Sequence, residues 1–317
     1  MPTTDPSLLA QIAEDYYLNK MSFGEISEKY QVSRYLINKY LTESVKTGIV
    51  KIEIASTASR NSQLEQVFKE KFPKTACYII QDDATATATE ELLSNYAANF
   101  VVKHLEKDTH VVGMTWGETM YALIDAITSN PLEHIKFTQF VGENMKYNST
   151  AGSVRIVERA AKKVSGEFLT LPAPLYLSDD AVRNGLYEAV SIKNTLDVAK
   201  DMDTLLTGLG TISSLESISI WNQNINRLFP NVRLGEVAGM IFGRPYDING
   251  NILNADSDKT VGLPMSTILS VNKRVGVIRS KSKSQAAIGA LRGNFLTDLI
   301  MSESLAYRIL NEEQEAK

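Results

Sequence analysis

The chain has 317 residues, 44% hydrophobic and 22% charged, a composition that excludes disordered, collagen-like and membrane-embedded classes. That length exceeds one ordinary core and predicts a small domain joined to a large one. The net charge of −4 announces no general affinity for nucleic acid, so any DNA-binding role must come from local pattern. The N-terminal stretch lacks a basic region followed by an apolar run. No later segment approaches the roughly 20 apolar residues of a membrane helix, which predicts a cytoplasmic protein without a membrane partner. Cys77, the single cysteine, has no internal disulfide partner and sits in an apolar run as a buried small side chain. His104, His110 and His134 lack metal-ligand spacing, so neither a metal nor a cofactor is expected.

Leu8, Leu9, Ile12, Ala13, Tyr16 and Tyr17 recur at helical spacing and predict a first amphipathic helix ending near Lys20. Ser22 and Glu25 then form an S-x-x-E capping box, with Met21 and Ile26 at the hydrophobic-staple positions. A short second helix follows, with Phe23, Ile26 and Tyr30 on its buried stripe, and Gln31-Val32 makes the turn. Ser33 is placed to cap a third helix in which Leu36, Ile37, Tyr40, Leu41 and Val45 face the core. Its other flank carries Arg34, Tyr35, Asn38, Lys39 and Thr42, the residue types that read a major groove from the start of a recognition helix.

Asn38 pairs bidentately with adenine and Arg34 with guanine or phosphate, while Tyr35 suits a thymine methyl or a phosphate. Lys39 and Lys46 suit phosphates, and Ser22 and Ser33 stand at the helix starts nearest the duplex. Gly48 is the expected helix-terminating residue, and the alternation over residues 49–54 predicts the strand of a wing or exit ribbon. The competing reading is a three-helix packing unit with a merely solvated polar face. Acidic residues slightly outnumber basic ones across residues 1–54. Non-specific affinity should therefore be weak and salt-dependent unless a dimer or tetramer presents several heads together.

A polar link over residues 56–62 separates this all-α, winged helix-turn-helix head (residues 1–55) from a large domain (residues 56–317). Strands are expected at 77–80, 111–114, 137–141, 204–209 and 275–278, and helices at 90–105, 119–127, 151–163, 182–193 and 305–311. This alternation predicts an α/β domain with a mostly parallel sheet, whose ligand sits beyond the carboxyl ends of its strands.

The turn Thr115-Trp116-Gly117-Glu118-Thr119 combines a tight backbone path, two hydroxyls and a helix start whose amides face an anion. Gly142-Glu143-Asn144 and Gly208-Leu209-Gly210-Thr211 follow two other strands and can face the same crevice. Asp247 is either an acceptor for sugar hydroxyls or a structural residue of the Asn249-Gly250 turn. Lys283 either grips a phosphate or is a solvated charge in the basic segment that begins at Arg279.

The chain resembles the SorC family of sugar-responsive regulators along nearly its whole length. The similarity is carried by the segment from Met21 through Arg34, by residues 113–119, and by Leu171-Pro172-Ala173-Pro174, Gly208-Leu209-Gly210, Asp247-Ile248-Asn249-Gly250 and Ala290-Leu291-Arg292-Gly293. The resemblance implies a sensor related to sugar-phosphate isomerases and deaminases, a homodimer or homotetramer, and control of a carbohydrate-use operon by a sugar or sugar-phosphate effector acting on operator DNA. Glu143 departs from the family pattern where a second glycine is common, Met240 where aspartate is usual, and Arg279-Ser280 where two glycines are usual. Glu118 adds an anion beside the presumed phosphate loop, with Arg279 or Lys283 as its neutralising cation. These departures predict a ligand other than the common sugar phosphates, such as a polyol phosphate or a less charged sugar.

Two rival readings remain. One is a sugar-phosphate isomerase- or deaminase-like enzyme, for which Glu118, Glu143 and Asp247 supply carboxylates but no candidate loop supplies a histidine, so no catalytic residue is assigned. The other is a regulator whose effector site has degenerated.

Overall fold

The computed structural model describes residues 5–50, 59–144 and 152–315. The chain divides into two compact units, Met1–Ser56 and Thr57–Lys317.

In the first unit, α1 (Pro6–Tyr17) begins with Pro6 behind Asp5, whose carboxylate accepts from the Ser7 amide at 2.9 Å. The reciprocal cap expected at α2 (Phe23–Tyr30) is present: Ser22 Oγ accepts from the Glu25 amide at 3.3 Å and Glu25 Oε2 accepts from the Ser22 amide at 2.7 Å. Gln31 makes the turn in the left-handed region, and Ser33 Oγ accepts from the Leu36 amide to open α3 (Arg34–Lys46). Leu9, Ile12, Ala13, Ile26, Ile37 and Leu41 form the core. Val45, expected in that core, is exposed; the stripe runs through Ile37, Leu41 and Ser44 at spacings of four and three, and Ser44 Oγ donates to the Leu41 carbonyl. Gly48 follows the helix with φ +78° as expected, Ile49 and Val50 form a bend, and the remainder of the expected 49–54 strand lies outside the described residues.

Asp15 is buried, and its carboxylate accepts from Lys29 Nζ and Tyr30 Oη, each at 2.7 Å, and from Asn19 Nδ2 at 3.0 Å. These bonds hold its carboxyl down to about 2, led by the one from Lys29. The folded carboxyl therefore titrates below its unfolded value of about 4, so its contribution is complete above that pH and fades as pH falls toward 2. The variant Asp15→Ala is expected to lose about 1–3 kcal/mol of this unit's stability at neutral pH, because the Tyr30 hydroxyl is left without its acceptor. It should also lose the dependence between about pH 4 and 2. Calorimetric unfolding across that range checks both, and an unchanged acid limb would contradict the assignment.

The second unit alternates helices and strands. Helix α4 (Ser62–Lys71) leads to β1 (Ala76–Ile80), α5 (Ala86–Asp108), β2 (Val111–Met114), α6 (Glu118–Ala126) and β3 (Lys136–Gln139). There follow α7 (Ser153–Val164), β4 (Glu167–Leu169), α8 (Asp180–Leu186), α9 (Val190–Lys200) and β5 (Thr204–Gly208). Three short helices, α10 (Ile212–Glu216), α11 (Ser219–Asn222) and α12 (Ile225–Leu228), precede the hairpin of β6 (Gly239–Ile241) and β7 (Arg244–Tyr246). Last come α13 (Met265–Ser270), β8 (Lys273–Ile278), α14 (Ser284–Arg292), β9 (Asp298–Ser302) and α15 (Glu303–Glu315). None of the described helices is long and apolar enough to cross a membrane.

Seven strands form one all-parallel sheet in the order β1-β9-β8-β5-β2-β3-β4. Successive strand residues feed opposite cores, because side chains alternate across a pleated sheet. Leu205, Leu299 and Met301 pack with α4, α9, α14 and α15, whereas Leu206, Ile300, Val275 and Val277 pack with α5, α6 and α7. Both faces are thus covered, which is why the strands read as apolar runs. Cys77 is buried as expected, and burial pushes its thiol up to about 12.

The helix expected at 182–193 is instead two, α8 and α9: Gly185 weakens the first and Ala189 adopts the extended conformation that starts the second. The strand expected at 137–141 ends at Gln139, and Phe140 and Val141 turn into the core beyond it. Strands β4 and β9 and helix α14 were not anticipated. Asn249 and Gly250 do form a turn, with an antiparallel bridge from Tyr246 to Ile252 closing it.

Candidate effector crevice and candidate nucleic-acid face

On the first unit, Arg34, Tyr35, Asn38, Lys39 and Thr42 are all exposed on one flank of α3, Tyr35 by 78%. The hydroxyls of Ser22 and Ser33 are engaged as helix caps, and Ser22 Oγ also donates to Glu25 at 2.7 Å. Both serines thus shape the motif as caps, and the Ser22 proton is spent on Glu25 whereas Ser33 Oγ only accepts.

In the second unit the chain moves from β2 outward to β3 on one side and from β5 outward to β8 on the other. Adjacent strands whose following segments diverge leave a gap at their carboxyl ends, and this is where ligands settle in open α/β sheets. A crevice of about 250 Å³ lies there, lined by the segments after β2 and β5, by Asn144, Leu175 and Tyr176, by the β6–β7 turn and by Lys283.

Gly117 has φ +110°, a conformation L side chains rarely adopt, and caps α6 without any side-chain bond. The first amides of that helix thus face the crevice side unpaired by a cap. Thr115 is buried and donates to Thr207 Oγ1 at 3.2 Å, which donates to the Gly208 carbonyl at 2.9 Å, so both hydroxyls are held in place. Lys283 Nζ reaches across to donate to the Leu209 carbonyl at 2.6 Å. Burial pushes this ammonium below the usual lysine range and the neighbouring Arg279 charge adds to the effect.

Of the residues singled out from sequence, Thr115, Trp116, Gly117, Glu118, Thr119, Asn144, Gly208, Gly210 and Lys283 line this one crevice. Four others do not. Gly142 and Glu143 run alongside the 173–174 backbone: the Glu143 amide donates to the Ala173 carbonyl, and a Cβ on Gly142 would stand 2.4 Å from the Pro174 oxygen. Glu143 is partly buried, which raises its carboxyl above the usual range. Asp247 is consumed by its own turn, with Oδ1 accepting from the Asn249 and Asn251 amides and Oδ2 from Asn251 Nδ2. That is the structural alternative left open for it. Arg279 lies outside the lining, paired with Glu90 and donating to the Glu118 carbonyl, so among the described lining residues the cation is Lys283.

Sequence reasoning missed most of the apolar lining, made by Tyr176, Leu215, Trp221, Met240 and Phe242, of which it singled out Met240 alone, as a departure from the family pattern. Thr211, read from sequence as part of the loop after β5, also lines the crevice, whereas Thr207 and Ser214 were missed, although Ser214 was legible as a small hydroxyl residue just after that loop.

Architecture and crevice define a doubly wound α/β ligand-binding domain. The family described as "Putative sugar-binding domain" matches residues 56–311. Over nearly its full length the chain is similar to the sorbitol operon regulator of Klebsiella pneumoniae, at 23% identity over 309 residues covering 96% of this chain and 98% of that protein. It is likewise similar to the deoxyribonucleoside regulator of Bacillus subtilis, at 22% identity over 311 residues, 96% and 97% of the two chains. The crystal structure of the full-length Klebsiella regulator superposes with a TM-score of 0.75, at 22% identity, covering 97% of this chain and 99% of that one. The chain belongs to the SorC family of sugar-binding transcriptional regulators.

Proposed function

We propose that the chain is a DNA-binding transcriptional regulator of a carbohydrate-use operon, with the flank of α3 reading operator DNA and the β2–β5 crevice taking a sugar phosphate or related effector. The observation that carries the effector half is the crevice itself, where the uncapped start of α6 behind Gly117 and the Lys283 ammonium line one cavity at the sheet's switch point. The exposed flank of α3 behind two capped helix starts supports the DNA half. Assembly as a homodimer or homotetramer belongs to this reading, because paired heads offset the low positive charge of each.

The reading is of a regulator rather than of an enzyme. Isomerisation or deamination of a sugar phosphate needs a positioned acid and base. Glu118 is the one carboxylate among the described residues that line the crevice, it is exposed, and no histidine joins it.

The test is a gel shift with DNA from upstream of the chain's own gene, with and without a panel of sugar phosphates. Asn38→Ala is expected to weaken the specific shift by about 1–3 kcal/mol, roughly ten- to a hundredfold, and to relax sequence preference. Lys39→Ala should weaken all sequences alike and flatten the salt dependence. Undiminished sequence preference in Asn38→Ala would contradict the assignment of this face, and turnover of a sugar phosphate by the purified protein would revive the enzyme.

A further inference from the structure

A second cleft, of about 500 Å³, lies between α8, α9 and the 258–264 segment. No described residue lines both it and the effector crevice. Neighbours divide between the two: Gly243 and Tyr176 line the crevice, whereas Arg244 and Thr260, which bridges to Tyr176, line the cleft. The cleft is therefore a separate cavity behind one shared partition.

Its charges do not cancel. Arg244 pairs with Asp258 and Lys200 with Asp197. Arg183 shares its carboxylate, Asp180, with Lys259, so that group of three carries one surplus positive charge. Lys193 and Glu188 also line the cleft, and neither forms an ion pair with a described residue. The cleft as a whole is left with one positive charge.

The donors are arranged as well as charged. Arg183 Nη1 donates to the Leu177 carbonyl at 3.0 Å and stands 2.6 Å from Asp180, and its side chain is only 15% exposed. Nε and Nη2 are left without a partner among the described residues, and they form the guanidinium edge whose parallel N–H groups match two oxygens of one anion. Thr260 Oγ1, in the same lining, is buried and has no hydrogen-bond partner either. Buried polar groups in native folds are almost always paired, so an open guanidinium edge and an unmet hydroxyl in one cleft mark a place for a ligand.

We propose that this cleft is a second small-molecule site, independent of the effector crevice, and that it takes an organic monocarboxylate. The two carboxylate oxygens accept from the Nε–Nη2 edge of Arg183, and Lys193 adds the second cationic contact. A phosphate monoester, at about −1.5 to −2 near neutral pH, exceeds the single surplus charge and meets repulsion from Glu188 and Asp197.

The experiment titrates the purified full chain with lactate, succinate and inorganic phosphate by calorimetry. Lactate is expected to bind, and Arg183→Gln to weaken it at least about tenfold. Lys193→Met, which removes an exposed side chain and so leaves the fold intact, should weaken it about threefold. Lys283→Met, which strips the crevice of its cation, should leave lactate binding where it was. Lactate binding that survives Arg183→Gln, or that disappears in Lys283→Met, places the anion elsewhere and overturns the proposal. So does tighter Arg183-dependent binding of succinate or phosphate, and so does the absence of lactate binding throughout the millimolar range.

Discussion

Lys283→Met is expected to abolish phosphate-dependent binding in the crevice while leaving the protein folded. The ammonium lines the crevice, is partly buried, and donates to the Leu209 carbonyl with two further N–H groups available. Removing a desolvated partner of this kind costs about 2–5 kcal/mol of binding, at least roughly thirtyfold in affinity. Stability should move the other way or not at all, because a proton that burial has already loosened marks a charge the fold disfavours, and methionine relieves it. The same loosening gives a pH signature: affinity for a phosphate should fall on the alkaline side before an ordinary surface lysine would lose its charge. Calorimetric titration of wild type and variant across alkaline pH measures both effects. Undiminished phosphate binding by the variant would remove Lys283 from the site.

Arg244→Ala should produce the largest loss of stability in the second unit. Arg244 is 2% exposed, yet all of its guanidinium nitrogens are occupied: Nε donates to Asp258 at 2.7 Å, Nη1 to the Phe242 carbonyl at 3.1 Å and Nη2 to the Leu263 carbonyl at 3.0 Å. It fastens the β6–β7 turn, which supplies Phe242 and Gly243 to the crevice, onto the 258–263 segment. Truncation leaves a carboxylate and two carbonyls without their donor around a new cavity, at about 3–5 kcal/mol. For a unit of this size the melting temperature should drop on the order of 10 °C by scanning calorimetry. Arg244→Lys should recover little of it, since one ammonium cannot reach three divergent acceptors as a planar fork does. A drop of only a degree or two in the alanine variant would mean that the segment is held by other contacts.

The parts of the molecule that announced themselves in sequence are those whose physics is local. The Ser22–Glu25 cap, the Ser33 helix start, the Gly48 stop and the Gly117 turn each depend on a few neighbouring residues, and each stands as read. Spacing fixed the buried stripe of α3 to within one position, because Ser44, a polar residue that satisfies itself on the preceding turn, displaced Val45. Partnerships across the chain were illegible. Arg279 looked like a phosphate ligand because nothing nearby in sequence competes for it, whereas Glu90, 189 residues earlier on α5, does. The apolar part of the lining was mostly illegible for the same reason: Tyr176 comes from a segment outside any helix or strand, Trp221 from the four-residue α11 and Met240 from the three-residue β6, and only the fold brings them together.

The register of β1 against β9 bears on how the protein is made. Tyr78 Oη donates to Asp298, 220 residues further along the chain, and β9 supplies the partner for both β1 and β8. The seven-stranded sheet therefore stays open during synthesis until β9 has left the ribosome. The three-helix unit, whose contacts are all local, is free to fold long before. A translating polysome accordingly carries finished three-helix units on unfinished second units, and a chain interrupted before residue 298 would lack the strand that joins β1 to β8.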